Sequence, residues 1–185
     1  MFIQTEATPN PQTLKFLPGQ AVLQDGSVDF PTREGSEVSP LAARIFAVDG
    51  VEAVFLGRDF VTVTKGEVDW QHIKPAILGA IMEHYQSGDP VMQGEGPKVD
   101  HAAHDGPDAE IVGQVKELLD TRVRPAVAQD GGDITFHGFD KGVVYLHMQG
   151  ACAGCPSSTL TLKQGIENLL RHYIPEVTEV RPVGV

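Results

Sequence analysis

Apolar positions along this chain fall into short alternating runs and longer helical stripes, punctuated by glycine and proline. "FIQTEA" and "TLKFL" are strand-like and flank "TPNPQ", whose two prolines forbid helix, so an opening hairpin is predicted. Ser39 followed by Pro40 marks a helix start, with Leu41, Ile45 and Phe46 on one face until "VDG" ends it. "VEAVFLG" and "FVTVTK" predict a second hairpin, with Val61 and Val63 facing one way and Thr62 and Thr64 the other. Asp69 then opens a long helix whose stripe is Trp70, Ile73, Ile77, Ile81 and Tyr85. Pro75 predicts a kink or a later start there, and His72 and His84 read as surface positions.

The second half repeats the order helix, hairpin, helix. Asp108 is a candidate cap for a helix carrying Ile111, Val115, Leu118, Leu119 and Val123 on one side, broken or kinked at Pro125. After "QDGG" come "DITFHGF" and "VVYLHMQ", strands joined at Asp140, Lys141 and Gly142, with Val144, Leu146 and Met148 toward one face. A helix from Pro156 to about Tyr173 shows Leu162, Ile166, Leu169, Leu170 and Tyr173 on one side before Pro175 ends it, and "VTEVRPV" offers a final strand. Both halves read as mixed α/β (α+β) layers, a small sheet with helices against it. The stretch between them is rich in Gly, Pro and charge and has no period. It predicts domains at 1–88 and 109–185 with a linker at 89–108.

Composition narrows the function. The 185 residues, 41% of them hydrophobic, suffice for two small cores, and no run approaches the roughly 18 apolar residues of a membrane span. The net charge of −11 disfavours nucleic acid and anionic membranes as partners, since both need a cationic surface. The opening "MFIQTEATPN" has neither a basic segment before an apolar run nor an Arg-rich character, which gives a cytoplasmic expectation.

Both cysteines of the chain, Cys152 and Cys155, lie in "GACAGCPSSTL" between a strand and a helix. Two cysteines cannot make a disulfide framework, and the spacing reads as metal-binding or redox-active. Pro156 suits the first helical position, which puts Cys155 at about the N-cap and both sulfurs near helix N–H groups that would lower thiolate pKa. Zinc sites and iron–sulfur clusters take four ligands as a rule, and one chain has two cysteines. Either histidines complete the site or two copies of the chain each bring a pair across a two-fold axis. His137 and His147 sit in strands and read as ordinary strand histidines, His172 stands at a helix end, and His101 and His104 belong to a solvated linker.

Residues 130–177, from "DGGDITFHGF" through "GACAGCPSSTL" and the following helix, resemble the NifU C-terminal domain, the cluster-binding module of Nfu proteins. "FIQTEATPNPQTLKFLPG", residues 2–19, is similar to the N-terminal domain of mitochondrial and bacterial Nfu proteins. The resemblance implies a non-enzymatic carrier or late assembly factor. In it Cys152 and Cys155 of two subunits hold one four-iron four-sulfur cluster, received from an upstream donor or scaffold and passed to apo iron–sulfur proteins. It also implies a homodimer when loaded and a recognition role for the N-terminal domain. The chain lacks the separate scaffold and ferredoxin-like domains of nitrogen-fixation NifU, which favours carrying clusters over building them. Two alternatives stay open: a Cys-x-x-Cys thiol–disulfide oxidoreductase and a zinc-bridged structural dimer. The aspartates and glycines at 130–133 read as a turn between helix and strand, without chemistry.

Overall fold

Alternation in the first half yields a five-stranded antiparallel sheet. Its strands are β1 (Gln4–Ala7), β2 (Thr13–Leu17), β3 (Val28–Phe30), β4 (Val51–Leu56) and β5 (Val61–Lys65), in the order β1-β2-β5-β4-β3. The computed structural model describes residues 1–95, 108–153 and 156–183, and the chain divides into two units, Met1–Lys98 and Val99–Val185. In the first unit, helices α1 (Pro40–Phe46) and α2 (Trp70–Ser87) bury Leu41, Ile45, Ile77 and Ile81 against Phe16, Val61 and Val63 of the sheet. Ser39 caps α1 as its position foretells: its hydroxyl accepts from the Ala42 N–H at 3.1 Å and donates to the Val91 carbonyl at 2.6 Å.

Three features depart from the pattern. Pro75 lies inside α2, which begins before it at Trp70, so the helix carries the proline as an internal residue. His84, read as a surface position, is fully buried, because it sits three residues past Ile81 on the same inner stripe; His72 is exposed. β3 is three residues long, too short for periodicity to reveal, and is defined by its pairing with β4. Beyond α2 the chain stays on the first unit: Asp89 pairs with Arg44 at 2.7 Å, Val91 and Met92 pack on the core, and the Gln93 N–H donates to the Val38 carbonyl at 2.7 Å.

In the second unit, α3 (Ala109–Leu118) runs into a π-helical turn at Leu119–Val123 and then α4 (Arg124–Gln129). The Arg124 N–H reaches back to the Leu119 carbonyl, five residues earlier, and Pro125 follows within the first turn of α4. The expected break is thus absorbed by one wide turn. Asp108 occupies the cap position of α3 without a side-chain hydrogen bond. β6 (Gly132–Asp140) and β7 (Val143–Gly150) form the predicted hairpin, whose turn residues Lys141 and Gly142 have φ of 48° and 83°. α5 (Pro156–Tyr173) then crosses to β8 (Glu179–Val183), which pairs parallel to β7. Ile134, Phe136, Val144, Leu146 and Met148 meet Val115, Leu119, Val123, Ile166 and Leu170 in the core, so the helices cover one sheet face. Both units are therefore mixed α/β layers. Among the described residues no helix is long and apolar enough to cross a membrane.

Candidate metal centre

β7 delivers the chain into the cysteine loop, and the start of β6 receives it. Gly132 pairs with Gly150, and both flanking turns use left-handed backbone, with φ of 81° at Gly131 and 64° at Gly150. The loop folds back on itself: the Cys152 N–H donates to the Gln149 carbonyl at 3.3 Å and the Ala153 N–H to the Gly150 carbonyl at 3.1 Å. It is also tied to the preceding turn, because the Ala151 N–H donates to the Gly131 carbonyl at 3.2 Å. A Cβ on Gly132 would overlap the Cys152 Sγ and stand 2.9 Å from the Gln149 carbonyl oxygen. The bare α-carbon is therefore the seat of the sulfur.

Beside that seat lies an ion-pair network. Asp133, the second residue of β6, is buried and takes both ends of Arg124: Nε to Oδ1 and Nη2 to Oδ2, each at 2.9 Å. Its Oδ1 also accepts from the Ile134 N–H at 2.8 Å, and Arg124 reaches Asp120 at 3.0 Å. A bidentate guanidinium fixes the carboxylate plane, and through it the first residues of β6. The π-turn matters here, since one extra residue rotates Arg124 relative to α3. The hydrogen bonds to Asp133 and Asp120 hold the Arg124 guanidinium charged, its pKa raised above the usual arginine value.

Cys152 itself is only 6% exposed and packs within the hydrophobic core of its unit. Burial, with Asp130 and Asp133 adding negative charge, pushes its thiol up to about 12. This is the reverse of the expected helix-terminus effect. The sequence places the residue correctly in the loop, but the loop turns this sulfur into apolar surroundings. Cys155, read as the helix cap, lies outside the described residues, as do His101 and His104. His137 is exposed, and His147 is half-buried on the sheet face opposite Leu146 and Met148, its pKa lowered by burial and by His137. His172 is exposed on the last turn of α5, and so is Tyr173, read as part of the apolar stripe, because the core contacts of the helix end at Leu170. Among the described residues no group of three or more His, Cys, Asp or Glu side chains is placed to hold a metal ion. Among the described residues the loop shows one soft sulfur donor, Cys152, beside small residues.

Gly132, Asp133 and Arg124 are the residues that motif reading left without a role. "DGGD" carried a signal all the same: two adjacent glycines answer different needs. Gly131 supplies positive φ, and Gly132 supplies room for a residue twenty positions away.

Comparison with known proteins places both halves. A family model described as the scaffold protein Nfu/NifU N-terminal domain matches residues 3–88, and one described as the NifU-like domain matches residues 115–181. The human protein named NFU1 iron-sulfur cluster scaffold homolog, mitochondrial, is 50% identical over 185 residues, covering 99% of this chain and 72% of its own. The Arabidopsis thaliana protein named NifU-like protein 4, mitochondrial, is 52% identical over 184 residues, covering 97% of this chain and 65% of its own. The solution structure of a NifU-like protein from Saccharomyces cerevisiae aligns with TM-score 0.47 and 32% identity, over 51% of this chain and 87% of that one. The cytoplasmic expectation is corrected by these names: relatives at half identity or more are mitochondrial proteins. The ground for it, the character of the first residues, does not carry a location, because these relatives are longer than the stretch compared.

Proposed function

This chain belongs to the Nfu/NifU family of iron–sulfur cluster scaffold proteins, and from that premise we propose that it carries a four-iron four-sulfur cluster bound between two copies of itself. Cys152 and Cys155 of each copy supply the four thiolates. The observation that supports this reading is the ligand count: the whole chain has two cysteines, three positions apart, in the loop between β7 and α5. Half a thiolate set per chain calls for a second chain.

The chain's own residues then divide the work. Gly132 gives the Cys152 sulfur its seat, and the Arg124–Asp133 pair holds the strand beneath it. Before loading, the Cys152 thiol keeps its proton at neutral pH; on loading, iron displaces that proton and takes the sulfur as thiolate. Delivery to apo iron–sulfur proteins proceeds by incoming thiolates replacing those of the loop one at a time. Cargo arrives from an upstream donor or scaffold, and the first domain (1–88), joined by the linker at 89–108 to the second (109–185), serves partner recognition. In this reading the protein is a carrier and not an enzyme.

As the attacking thiol of a thiol–disulfide oxidoreductase Cys152 is disfavoured, since such a cysteine must be largely thiolate near neutral pH and burial pushes Cys152 the other way. Anaerobic reconstitution with iron and sulfide, followed by metal analysis and the mass of the loaded species, tests the proposal. Four irons and four sulfides per two chains are expected, and Cys152→Ser loses them. Zinc without iron and sulfide, or a full cluster on a monomer, defeats it.

A further inference from the structure

Ile134 and Phe136 of β6 and Leu146 and Met148 of β7 turn inward to the helices. Alternation sends the residues between them to the opposite face of the sheet: Thr135 and His137 on β6, Tyr145 and His147 on β7. In the register of the hairpin Thr135 stands directly opposite His147. A β-bulge between Phe136 and Gly138 then lets one extra residue of β6 into the pairing, and that residue is His137. His137 is thus diagonal to His147, a separation that two imidazole side chains span. The rings bear on each other electrostatically, as the lowered pKa of His147 records.

The charged groups around this pair are engaged elsewhere. Glu179 of β8 takes both ends of Arg181 at 3.0 and 3.1 Å, Arg181 also bonds Tyr145, and Asp133 holds Arg124. Burial and the approach of His137 keep His147 neutral, the state in which an imidazole nitrogen offers its lone pair. Thr135 differs from its neighbours, because its Oγ1 is buried and has no hydrogen-bond partner among the described residues. A buried hydroxyl left so costs free energy unless something at the site gives it a partner. A histidine that ligates a metal donates its other ring N–H to an acceptor nearby, and Thr135, opposite His147, has an acceptor to offer.

We propose that His137 and His147, diagonal across the β6–β7 hairpin with Thr135 beside them, form a second metal site, one for a divalent first-row transition cation of the zinc, copper and nickel class. Imidazole nitrogen suits those ions, whereas magnesium and calcium take oxygen donors. A pair of imidazoles is fewer than a closed zinc site uses, so water fills the remaining positions and the ion exchanges freely. Binding fixes the His147 ring and turns its spare N–H to the Thr135 hydroxyl. No thiolate takes part, since Cys152 packs in the core that the other sheet face builds, and the site stands independently of the shared-cluster reading.

The test titrates zinc chloride into the full chain carrying Cys152→Ser and Cys155→Ser, so that thiolates do not take the metal first. Calorimetry is expected to show one zinc ion per chain, and NMR to show the ring signals of His137 and His147 moving with the added zinc and returning with EDTA. Adding His137→Gln or His147→Gln is expected to weaken binding at least about tenfold. His172→Gln, and His101→Gln together with His104→Gln, are expected to keep the parent affinity. His137 is exposed, so its variant removes a ligand without disturbing a packed position. A parent that takes up no zinc, equal affinity in both hairpin variants, or loss on changing His101 and His104 alone would overturn the site. None of these outcomes bears on the shared cluster, whose thiolates are absent from the titrated chain.

Discussion

A hydrogen atom at Gly132 decides where the Cys152 sulfur can lie. Replacing it with a methyl group forces the sulfur, or the backbone of Gln149 and Cys152, to move. Gly132→Ala is expected to cost about 1–3 kcal/mol in chemical denaturation, as overpacking does, and to reduce iron bound per chain. An unchanged unfolding midpoint with full loading would show that the seat is not needed. His84 makes a second case at this scale. Its ring is fully buried, and neither nitrogen has a hydrogen-bond partner among the described residues. Arg44 of α1 and Asp89 beyond α2 bear on it electrostatically, with Glu83 and Tyr85 adjacent on its own helix. Burial first, and Arg44 second, hold the ring neutral by lowering its pKa below 6.5, against the weaker pull of Asp89. The unfolded chain therefore binds a proton that the folded one refuses. Stability is complete above about pH 7 and is lost as pH falls through the unfolded pKa toward the lower folded one. His84→Leu is expected to remove that part of the acid slope in urea titrations between about pH 7 and 5, leaving neutral stability undiminished. A slope identical to the parent's would assign acid lability to other groups.

Elements were legible where a period or a cap spoke for them. α1 announced itself through Ser39 and Pro40, α2 through five apolar residues at helical spacing, and the three hairpins through alternation around turn residues. What the pattern missed has physical reasons. β3 has no room for a period, the π-turn at Leu119–Val123 leaves an apolar stripe that still looks helical, and His84 hides because a histidine gives no hydropathy signal. The candidate site was legible as a loop between strand and helix, and Cys152 lies in that loop. The direction of the Cys152 thiol was not, because it depends on a glycine in another strand. Ser39 offers the element-scale test. Its hydroxyl both caps α1 and holds Val91, so Ser39→Ala is expected to cost about 1–2 kcal/mol and to speed hydrogen exchange at the Ala42 amide. Exchange unchanged at Ala42 would mean that Pro40 alone sets the helix start.

At the scale of the whole molecule, two units of similar architecture handle different problems. The first buries His84, Lys15, Thr13 and Thr62 and has no cysteine; the second carries both cysteines of the sequence and the ion-pair clamp. β8 binds the second unit into one piece, since it joins β7 in parallel and buries Val180 in the core that Cys152 shares. That pairing sets an order in time. A ribosome delivers β8 after the other described elements of the unit, so the core that Cys152 shares with Val180 lacks one of its walls until residues 179–183 have emerged. A chain stopped at residue 178 should therefore react rapidly with iodoacetamide at Cys152, whereas the full chain protects it. The order of synthesis thus makes β8 the strand whose arrival completes the core in which Cys152 lies.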